Sequence, residues 1–220
     1  MKRAERQLIG TTSWLVPGTY YENARLVAQL VDFVELLVYT WDSDTFDLFE
    51  REIGKLRTLS ENYGLKYSIH LPTDSLKNVG SVLNYFDGKL PVVNYVLHPY
   101  DGEEFYDLLN GDFGGRISVE NLKEKVVNFK RTVFDIGHHL LGVKVDDAFL
   151  SNVVELHVMG IENGKDHRKL NLETLEQMYS ILGDRMYEIE YVCFEIFDLN
   201  DLIDSLKLWK AFKKVKLYAR

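Results

Sequence analysis

The feature that most constrains this chain is a regular alternation of short apolar runs with longer amphipathic stretches. The apolar runs predict eight strands, at residues 8–12, 33–39, 66–71, 91–98, 115–120, 131–135, 153–158 and 191–197. Helical patterns separate them and are clearest at residues 44–64 and 170–183, where the second pattern ends at Gly183, a residue typical of a helix C-terminus. Strands that alternate with helices form βαβ units and a parallel sheet.

Eight such units of about 27 residues each suit a closed barrel. The chain has 220 residues, which fits one domain spanning residues 1–220. The structural rival is a doubly wound open sheet, but no GxGxxG or GxxxxGK[ST] phosphate loop follows any predicted strand. We therefore predict the α/β class and a single (β/α)8 barrel.

Charge and composition limit the classes of partner that the chain is expected to bind. The formal net charge is −8, whereas nucleic-acid binders draw most of their affinity from Lys and Arg contacts to phosphates, so we expect no nucleic-acid partner. No window approaches the roughly 18 apolar residues of a membrane span, and no apolar segment of a signal peptide follows the basic N-terminus. Cys193 is the single cysteine, which excludes a disulfide framework and a cysteine-rich metal site. We expect a cytoplasmic protein that acts on a small molecule, and its oligomeric state stays open.

Histidines and acids collect at the ends of the predicted strands. The histidines are His70, His98, His138, His139, His157 and His167, and the acids are Glu35, Glu120, Asp135, Asp166 and Glu195. In a barrel these positions converge on the rim formed by the C-terminal ends of the strands, where active sites of this fold lie. Taken singly, a histidine is more often a satisfied structural residue. So many ionisable groups with few basic neighbours would repel or desolvate one another without a cation, and together they predict a metal site.

The chemistry of these side chains favours particular ions. Imidazole with carboxylate suits zinc, manganese or iron, and nine potential ligands exceed what one ion needs. We therefore predict two or three divalent ions, with zinc or manganese favoured and Glu120 able to bridge two of them. Clustered ions of this kind suit hydrolysis at phosphorus, because they stabilise both the attacking and the leaving oxygen.

Six short motifs stand in order across strands three to eight: YSIHLP, VLHP, SVENL, FDIGH, ELHV followed by GKDH, and FEIF. This ordered set resembles the xylose isomerase-like barrels of the AP endonuclease family 2 superfamily, which includes endonuclease IV and many sugar isomerases and epimerases. The resemblance implies a single-metal ligand set of Glu120, Asp135, His157 and Glu195. The three-zinc pattern of the endonuclease adds His70, His98, His138, Asp166 and His167. Asp166 and His167 are adjacent here, whereas the endonuclease has one residue between them, which puts the third metal in question.

The N-terminal stretch IGTTSWLVPGTYYENARLVAQLVDFVELLVY is similar to the cobamide-remodelling phosphodiesterases within that superfamily. The resemblance implies hydrolysis of the phosphoribosyl bond in the nucleotide loop of a cobamide. We expect a metal-dependent hydrolase of a small-molecule phosphodiester, with Glu120, Asp135 and Glu195 as catalytic residues. Residues expected to bind substrate are Trp14, Trp41, Tyr100 and Asn121. Glu35 either orients a histidine or belongs to a buried ion pair.

Three alternatives stay open. A single-metal sugar or sugar-phosphate isomerase or epimerase would use Glu120 and Glu195 as the acid–base pair that moves a proton beside a carbonyl. A nuclease like endonuclease IV is disfavoured by the acidic charge. A non-catalytic, metal-stabilised binding barrel would need a closed site with few ligands. The number of ions per chain separates the first alternative from the hydrolase.

Overall fold

The computed structural model describes residues 6–218, in which eight parallel strands close into a barrel. The barrel strands are β1 (Leu8–Thr12), β2 (Phe33–Leu37), β3 (Lys66–His70), β4 (Val92–Leu97), β5 (Ile117–Glu120), β6 (Thr132–Asp135), β7 (Val153–Val158) and β10 (Tyr191–Phe194). They pair in the order β1-β10-β7-β6-β5-β4-β3-β2, and β2 pairs with β1 to complete the circle. The closed parallel barrel that the strand pattern predicts is confirmed.

Helices surround the barrel on the outside. They are α1 (Tyr20–Val27), α2 (Ser43–Tyr63), α3 (Leu76–Phe86), α4 (Glu103–Asn110), α5 (Ile136–Leu141), α6 (Asp147–Ser151), α7 (Leu172–Leu182) and α8 (Leu199–Tyr218), with a short 3₁₀ helix at Gly183–Tyr187. An antiparallel pair, β8 (Gly160–Glu162) and β9 (Lys165–Arg168), stands apart from the barrel sheet. Among the described residues, none of the helices is long and apolar enough to cross a membrane.

Burial explains why the strand sequences are so apolar. Every residue of β2, β5 and β6 is buried, as expected for parallel strands covered on both faces. The apolar side chains pack against the helices, and Phe33, Tyr67 and Tyr95 are among the largest fully buried ones. Buried polar side chains also occur along the strands, among them Glu35, Ser68, Asn94, Ser118, Glu155 and His157. The strands therefore carry an apolar core together with an unusual number of polar groups.

One connection departs from the predicted pattern. Residues 121–131, between β5 and β6, form no helix. The Leu122 N–H donates to the Lys125 carbonyl at 2.8 Å, and the Lys123 carbonyl accepts from the Val143 N–H at 2.7 Å. Backbone groups committed to a turn and to another segment are not available for an i→i−4 helical ladder. The helix that the ideal fold places after β5 is replaced by this connection, which carries Asn121 and Lys123 towards the rim.

The predicted single domain of residues 1–220 includes positions 1–5 and 219–220, which lie outside the described residues. That domain assignment and the cytoplasmic location both stay predictions.

Candidate metal centre

Four neighbouring strands bring one ligand residue each to a common point at the rim. Glu120 ends β5, Asp135 ends β6, His157 lies within β7, and Glu195 directly follows β10. One ligand atom from each lies within 4.8 Å of the others, and all four residues are buried. Because β5, β6, β7 and β10 are consecutive in the barrel, the convergence follows directly from strand order. We call these four residues the central ligand set.

The imidazole of His157 stands in the middle of this set. Its Nδ1 lies 3.3 Å from Glu120 Oε1, 3.4 Å from Glu195 Oε1 and 4.0 Å from Asp135 Oδ2. Its Nε2 faces the other way, towards the interior of the barrel, where Glu35 Oε2 lies 3.6 Å away. Nδ1 is therefore the nitrogen that can serve as a ligand at the rim.

Glu120 also belongs to a second set, with His70 and His98, which we call the histidine ligand set. Glu120 Oε2 lies 3.4 Å from His70 Nε2 and 3.2 Å from His98 Nε2. His70 Nδ1 lies 3.2 Å from the Leu71 carbonyl oxygen, which can only accept, so the proton of a neutral ring belongs on Nδ1. His70 Nε2 then directs an electron pair at a carboxylate, an arrangement that requires a proton or a cation between the two atoms.

The charges of the central ligand set are strongly coupled. Burial favours the neutral form of Glu120, but His157, His70 and His98 outweigh it and hold its pKa well below the usual range. Burial raises the pKa of Glu195 well above its usual value and also raises the pKa of Asp135, despite opposition from nearby histidines. Burial lowers the pKa of His157, yet the charges of Glu195, Glu35 and Glu120 outweigh burial and raise this pKa well above normal. Without a cation, the site must retain protons in order to limit its own repulsion.

The residues fit a divalent cation. Glu120 Oε2 and Asp135 Oδ2 are buried oxygens that have no hydrogen-bond partner among the described residues. Buried, unpaired carboxylate oxygens are costly, and a bound cation would satisfy both of them. A donor set of imidazole nitrogen and carboxylate oxygen suits zinc, manganese or iron. The identity of the metal and the number of ions stay predictions.

The loop after β6 is built around Asp135. Its Oδ1 accepts from the His138 N–H at 2.6 Å, which starts α5. Asn121 holds the same residue from the other side, because its Oδ1 accepts from the Asp135 N–H at 2.8 Å and its Nδ2 donates to the Asp135 carbonyl at 3.1 Å. The contacts of Asn121 place it as a support for Asp135, and its predicted binding of substrate stays a prediction.

The predicted ligands of a third ion do not come together. Asp166 Oδ2 lies 2.6 Å from Lys123 Nζ. His167 stacks on Phe197 with ring centroids 4.7 Å apart. His138 Nδ1 lies 2.9 Å from the Asn121 carbonyl. None of His138, Asp166 and His167 belongs to a ligand set found among the described residues. Asp166 and His167 are adjacent on β9 of the hairpin, and their side chains contact different partners, Lys123 and Phe197.

A cavity of about 380 Å³ opens above the two ligand sets. Its lining residues are Tyr39, His70, Thr73, His98, Glu120, His138, His167 and Glu195. The volume suits a small molecule, and each lining residue carries a polar side-chain group. Tyr39 and Thr73 were not predicted as site residues. The available signal was their position, because Tyr39 ends the predicted strand at residues 33–39 and Thr73 lies just after the predicted strand at residues 66–71.

The predicted aromatic residues lie away from this cavity. Trp14 is 57% exposed and its ring lies 6.1 Å from that of Phe197. Trp41 packs against side chains of α2 and α3, including Phe46 and Tyr85. The Tyr100 hydroxyl donates to the Pro72 carbonyl at 2.8 Å. None of Trp14, Trp41 and Tyr100 is among the residues that line the cavity, and their contact with substrate stays a prediction.

Glu155 was missed by the sequence analysis. It lies two residues before His157 on β7, so alternation along a strand places both side chains on the same face. Burial, followed by the charge of Glu35, raises the pKa of Glu155 to about 8. Period-two spacing from His157 was the signal that could have found it.

Comparison with known proteins identifies the fold. No family model and no curated protein matches this sequence. A solved structure of a D-tagatose 3-epimerase-like protein is similar over 97% of this chain and 99% of its own, with 16% identity and a TM-score of 0.68. A xylose isomerase domain containing protein from Salmonella typhimurium LT2 is similar over 91% of this chain and 92% of its own, with 17% identity and a TM-score of 0.59. The chain has the fold of a xylose isomerase-like (β/α)8 barrel.

The same comparison corrects the functional expectation. The prediction of a phosphodiester hydrolase, and with it the cobamide substrate, is wrong, because these structural neighbours are named for a sugar epimerase and a sugar isomerase. The physical reason for the error lies in the counting of ligands. Nine ligand residues on one rim suggested hydrolysis by clustered ions, but carboxylates and imidazoles around a cation serve proton transfer beside a carbonyl equally well.

Proposed function

We propose that this chain is a metal-dependent isomerase or epimerase of sugars or sugar phosphates. The observation that carries the proposal is the central ligand set, in which four strands present three carboxylates and one imidazole within 4.8 Å. One divalent ion is enough to use all four ligands. The cavity of about 380 Å³ above them has the size for a small polar substrate. The names of the two structural neighbours agree with this reaction class.

Glu120 and Glu195 are the proposed acid–base pair. Both side chains line the cavity, and both are buried, so water competes little for their protons. A divalent ion at the centre supplies a positive charge that polarises a carbonyl and acidifies the neighbouring C–H bond. One carboxylate then takes the proton from that carbon, and the other carboxyl returns a proton to the opposite face or to the adjacent carbon. The first outcome is epimerisation and the second is isomerisation.

The histidine ligand set could hold a second ion. Glu120 contributes Oε1 towards His157 and Oε2 towards His70 and His98, so one carboxylate can serve both sets. The proposed reaction needs only the central ion. The sequence predicts zinc or manganese, and it predicts two or three ions per chain. Metal analysis of the purified protein will decide between one ion and several. The expected partner remains a small molecule rather than a nucleic acid or a membrane.

The test is to incubate metal-replete protein in D₂O with aldoses, ketoses and their phosphate esters, and to follow the products by NMR. We expect interconversion, with deuterium entering at a carbon beside the carbonyl. Glu120→Gln and Glu195→Gln should each reduce turnover by roughly 100-fold or more. Asp101→Asn is the matched control, because Asp101 is a fully exposed carboxylate that pairs with Lys125. Metal-loaded wild-type protein that converts no sugar with manganese, cobalt, magnesium or zinc would exclude the proposal.

A further inference from the structure

The acidic cluster continues beneath the central ligand set, on the inner side of His157. Glu35 on β2 and Glu155 on β7 are both completely buried there. Glu35 Oε2 lies 3.6 Å from His157 Nε2, and Glu155 Oε1 lies 3.8 Å from the same nitrogen. The two carboxylates therefore approach the ring from the side opposite to the proposed ion.

Glu35 differs from Glu155 in what else it contacts. Glu155 Oε2 accepts from Asn94 Nδ2 at 2.6 Å, and Asn94 Oδ1 in turn accepts from Ser118 Oγ at 2.8 Å. One oxygen of Glu155 is thus anchored in a chain of hydrogen bonds, while its Oε1, which faces His157 Nε2, has no hydrogen-bond partner among the described residues. Neither oxygen of Glu35 has such a partner there, so Glu35 is the acid that has no other anchor. A completely buried carboxylate in that condition is costly unless a neighbouring group compensates it, and His157 Nε2 is equally without a partner.

The two ring nitrogens of His157 need different roles, one as the ligand of the ion and the other as the carrier of the proton. A nitrogen that binds an ion must offer an electron pair, so the proton of the metal-bound ring must sit on the other nitrogen. Nδ1 faces Glu120 and Glu195 at the rim, which leaves Nε2 to carry the proton. Acids that receive the outer N–H of a ligating histidine fix its tautomer and its orientation.

We propose that Glu35 is the positioning residue of His157, which directs the ring so that Nε2–H faces the barrel interior and Nδ1 faces the ion. The inference rests on the proposed metal centre and adds a residue that does not itself reach the cavity. At 3.6 Å the contact in this structure is longer than an N–H···O hydrogen bond and acts as a charge attraction. In this proposal Glu35 takes the first of the two roles expected from the sequence, the orientation of a histidine, and the charge attraction to His157 is the contact that serves this role.

The experiment reads the ring directly. Protein with ¹⁵N-labelled histidine is loaded with zinc, and long-range ¹H–¹⁵N spectra show which nitrogen of each ring carries the proton. A His157→Gln variant assigns the signal. We expect His157 to be bound through Nδ1 and protonated at Nε2, with an Nε2 proton that exchanges slowly with water. Zinc bound through Nε2 in the wild-type protein would overturn the proposal without the need for any variant at position 35.

Three variants then separate positioning from general stability. Glu35→Ala should weaken zinc binding by about 10- to 100-fold and speed the exchange of the Nε2 proton. Glu35→Gln keeps an acceptor oxygen and should restore most of both. Glu155→Ala is the matched control, because it removes an equally buried acid while leaving Glu35 in place. Unchanged zinc affinity and unchanged exchange in Glu35→Ala contradict the inference, and so does an equal loss in Glu155→Ala.

The failure of this inference and of the proposed function can be told apart. If zinc binds through Nδ1 with the expected effect of Glu35, but no sugar is converted, the positioning role stands and the reaction class is wrong. If sugars are converted and Glu35→Ala binds zinc like the wild type, the reaction class stands and the positioning role is wrong.

Discussion

At the scale of single residues, Glu120 is the point where the two ligand sets meet. Its Oε1 lies near His157 Nδ1, and its Oε2 lies near His70 and His98. A carboxylate with two oxygens can hold two partners at once, and among the described residues no other belongs to both sets. Replacing Glu120 therefore changes both sets together, whereas replacing His98 changes one of them.

The protons held by this site predict how metal binding depends on pH. In the metal-free protein the pKa values of Glu195 and His157 are both raised well above normal, so both groups hold their protons to higher pH than a free carboxyl or imidazole does. A cation must displace those protons, so affinity measured from about pH 6 to pH 8 should rise with pH. Calorimetric titration in two buffers of different ionisation enthalpy counts the protons that are released.

The variant Glu195→Gln is the control for this count. It should release about one proton fewer than the wild type and show a flatter dependence of affinity on pH. A wild-type affinity that stays constant across the same range would contradict the assignment of raised pKa values to the centre.

The sequence predicts which side chains meet at the rim where strand position alone determines the outcome. Glu120, Asp135, His157 and Glu195 stand at or near strand ends, and parallel strands in one barrel bring such positions together. Their roles as metal ligands and catalytic residues stay predictions. Trp41 shows the limit of this reasoning. It follows β2 in the sequence, but its ring packs against Phe46 and Tyr85, and that choice depends on helix positions that a single sequence does not reveal.

At the scale of secondary structure, the hairpin β8–β9 is the element that the strand pattern did not predict. Glu162 pairs with Lys165, and Asn163 and Gly164 form the two-residue turn between them with φ values of 52° and 71°. Asn-Gly is the strongest short signal of such a turn. The signal was present in GIENGKDH, but the strands on either side are too short to show a period of two.

The turn predicts a specific loss of stability. Gly164→Ala places a side chain in the left-handed region and should cost about 1 kcal/mol of local stability. Because the hairpin carries Asp166 and His167, amide hydrogen exchange should accelerate at β9 more than elsewhere. Exchange measured by mass spectrometry or NMR checks this expectation.

Gly80→Ala is the comparison for that variant. Gly80 lies inside α3, and an added Cβ there meets no atom within 4 Å. This substitution should raise the thermal midpoint, because alanine favours a helix interior by up to about 1 kcal/mol over glycine. If the two variants change exchange at β9 alike, the turn does not hold the hairpin in the way described.

The other elements also divide into those that a local sequence pattern predicts and those that it does not. All eight barrel strands lie within their predicted ranges, because buried parallel strands have compact apolar runs with clear limits. The expected helix between β5 and β6 is missing from the described residues, since its backbone groups bond to one another in a turn and to Val143. The bond to Val143 joins two segments that are separate in sequence, so it leaves no local pattern to read.

At the scale of the whole molecule, the buried carboxylates couple metal binding to stability. Glu35, Glu120, Asp135, Glu155 and Glu195 are all buried in one barrel, where their mutual repulsion opposes folding. A divalent ion at the proposed site would bind the folded chain, because the unfolded chain does not bring the ligands together. At a free-metal concentration 100 times the Kd it should add about 2.7 kcal/mol, or about 5 to 10 °C in the thermal midpoint.

Differential scanning calorimetry with zinc or manganese, before and after chelation, measures this shift. Glu120→Gln should show little of it, because the variant removes a ligand from both sets. Equal midpoints for the metal-loaded and the chelated wild type would argue against an ion at the rim.

The closing strand of the barrel has a consequence for how the protein is made. β10 lies between β1 and β7, and Thr11 Oγ1 donates to the Phe194 carbonyl across 183 positions of the chain. A nascent chain on the ribosome that has not yet released β10 is therefore an open sheet with two unpaired edges, β1 and β7. Such edges can pair with other chains, and they are covered only when nearly the whole protein has been synthesised. A stalled or prematurely ended translation product would lack that cover, which makes completion of the C-terminal region the step that protects the N-terminal one.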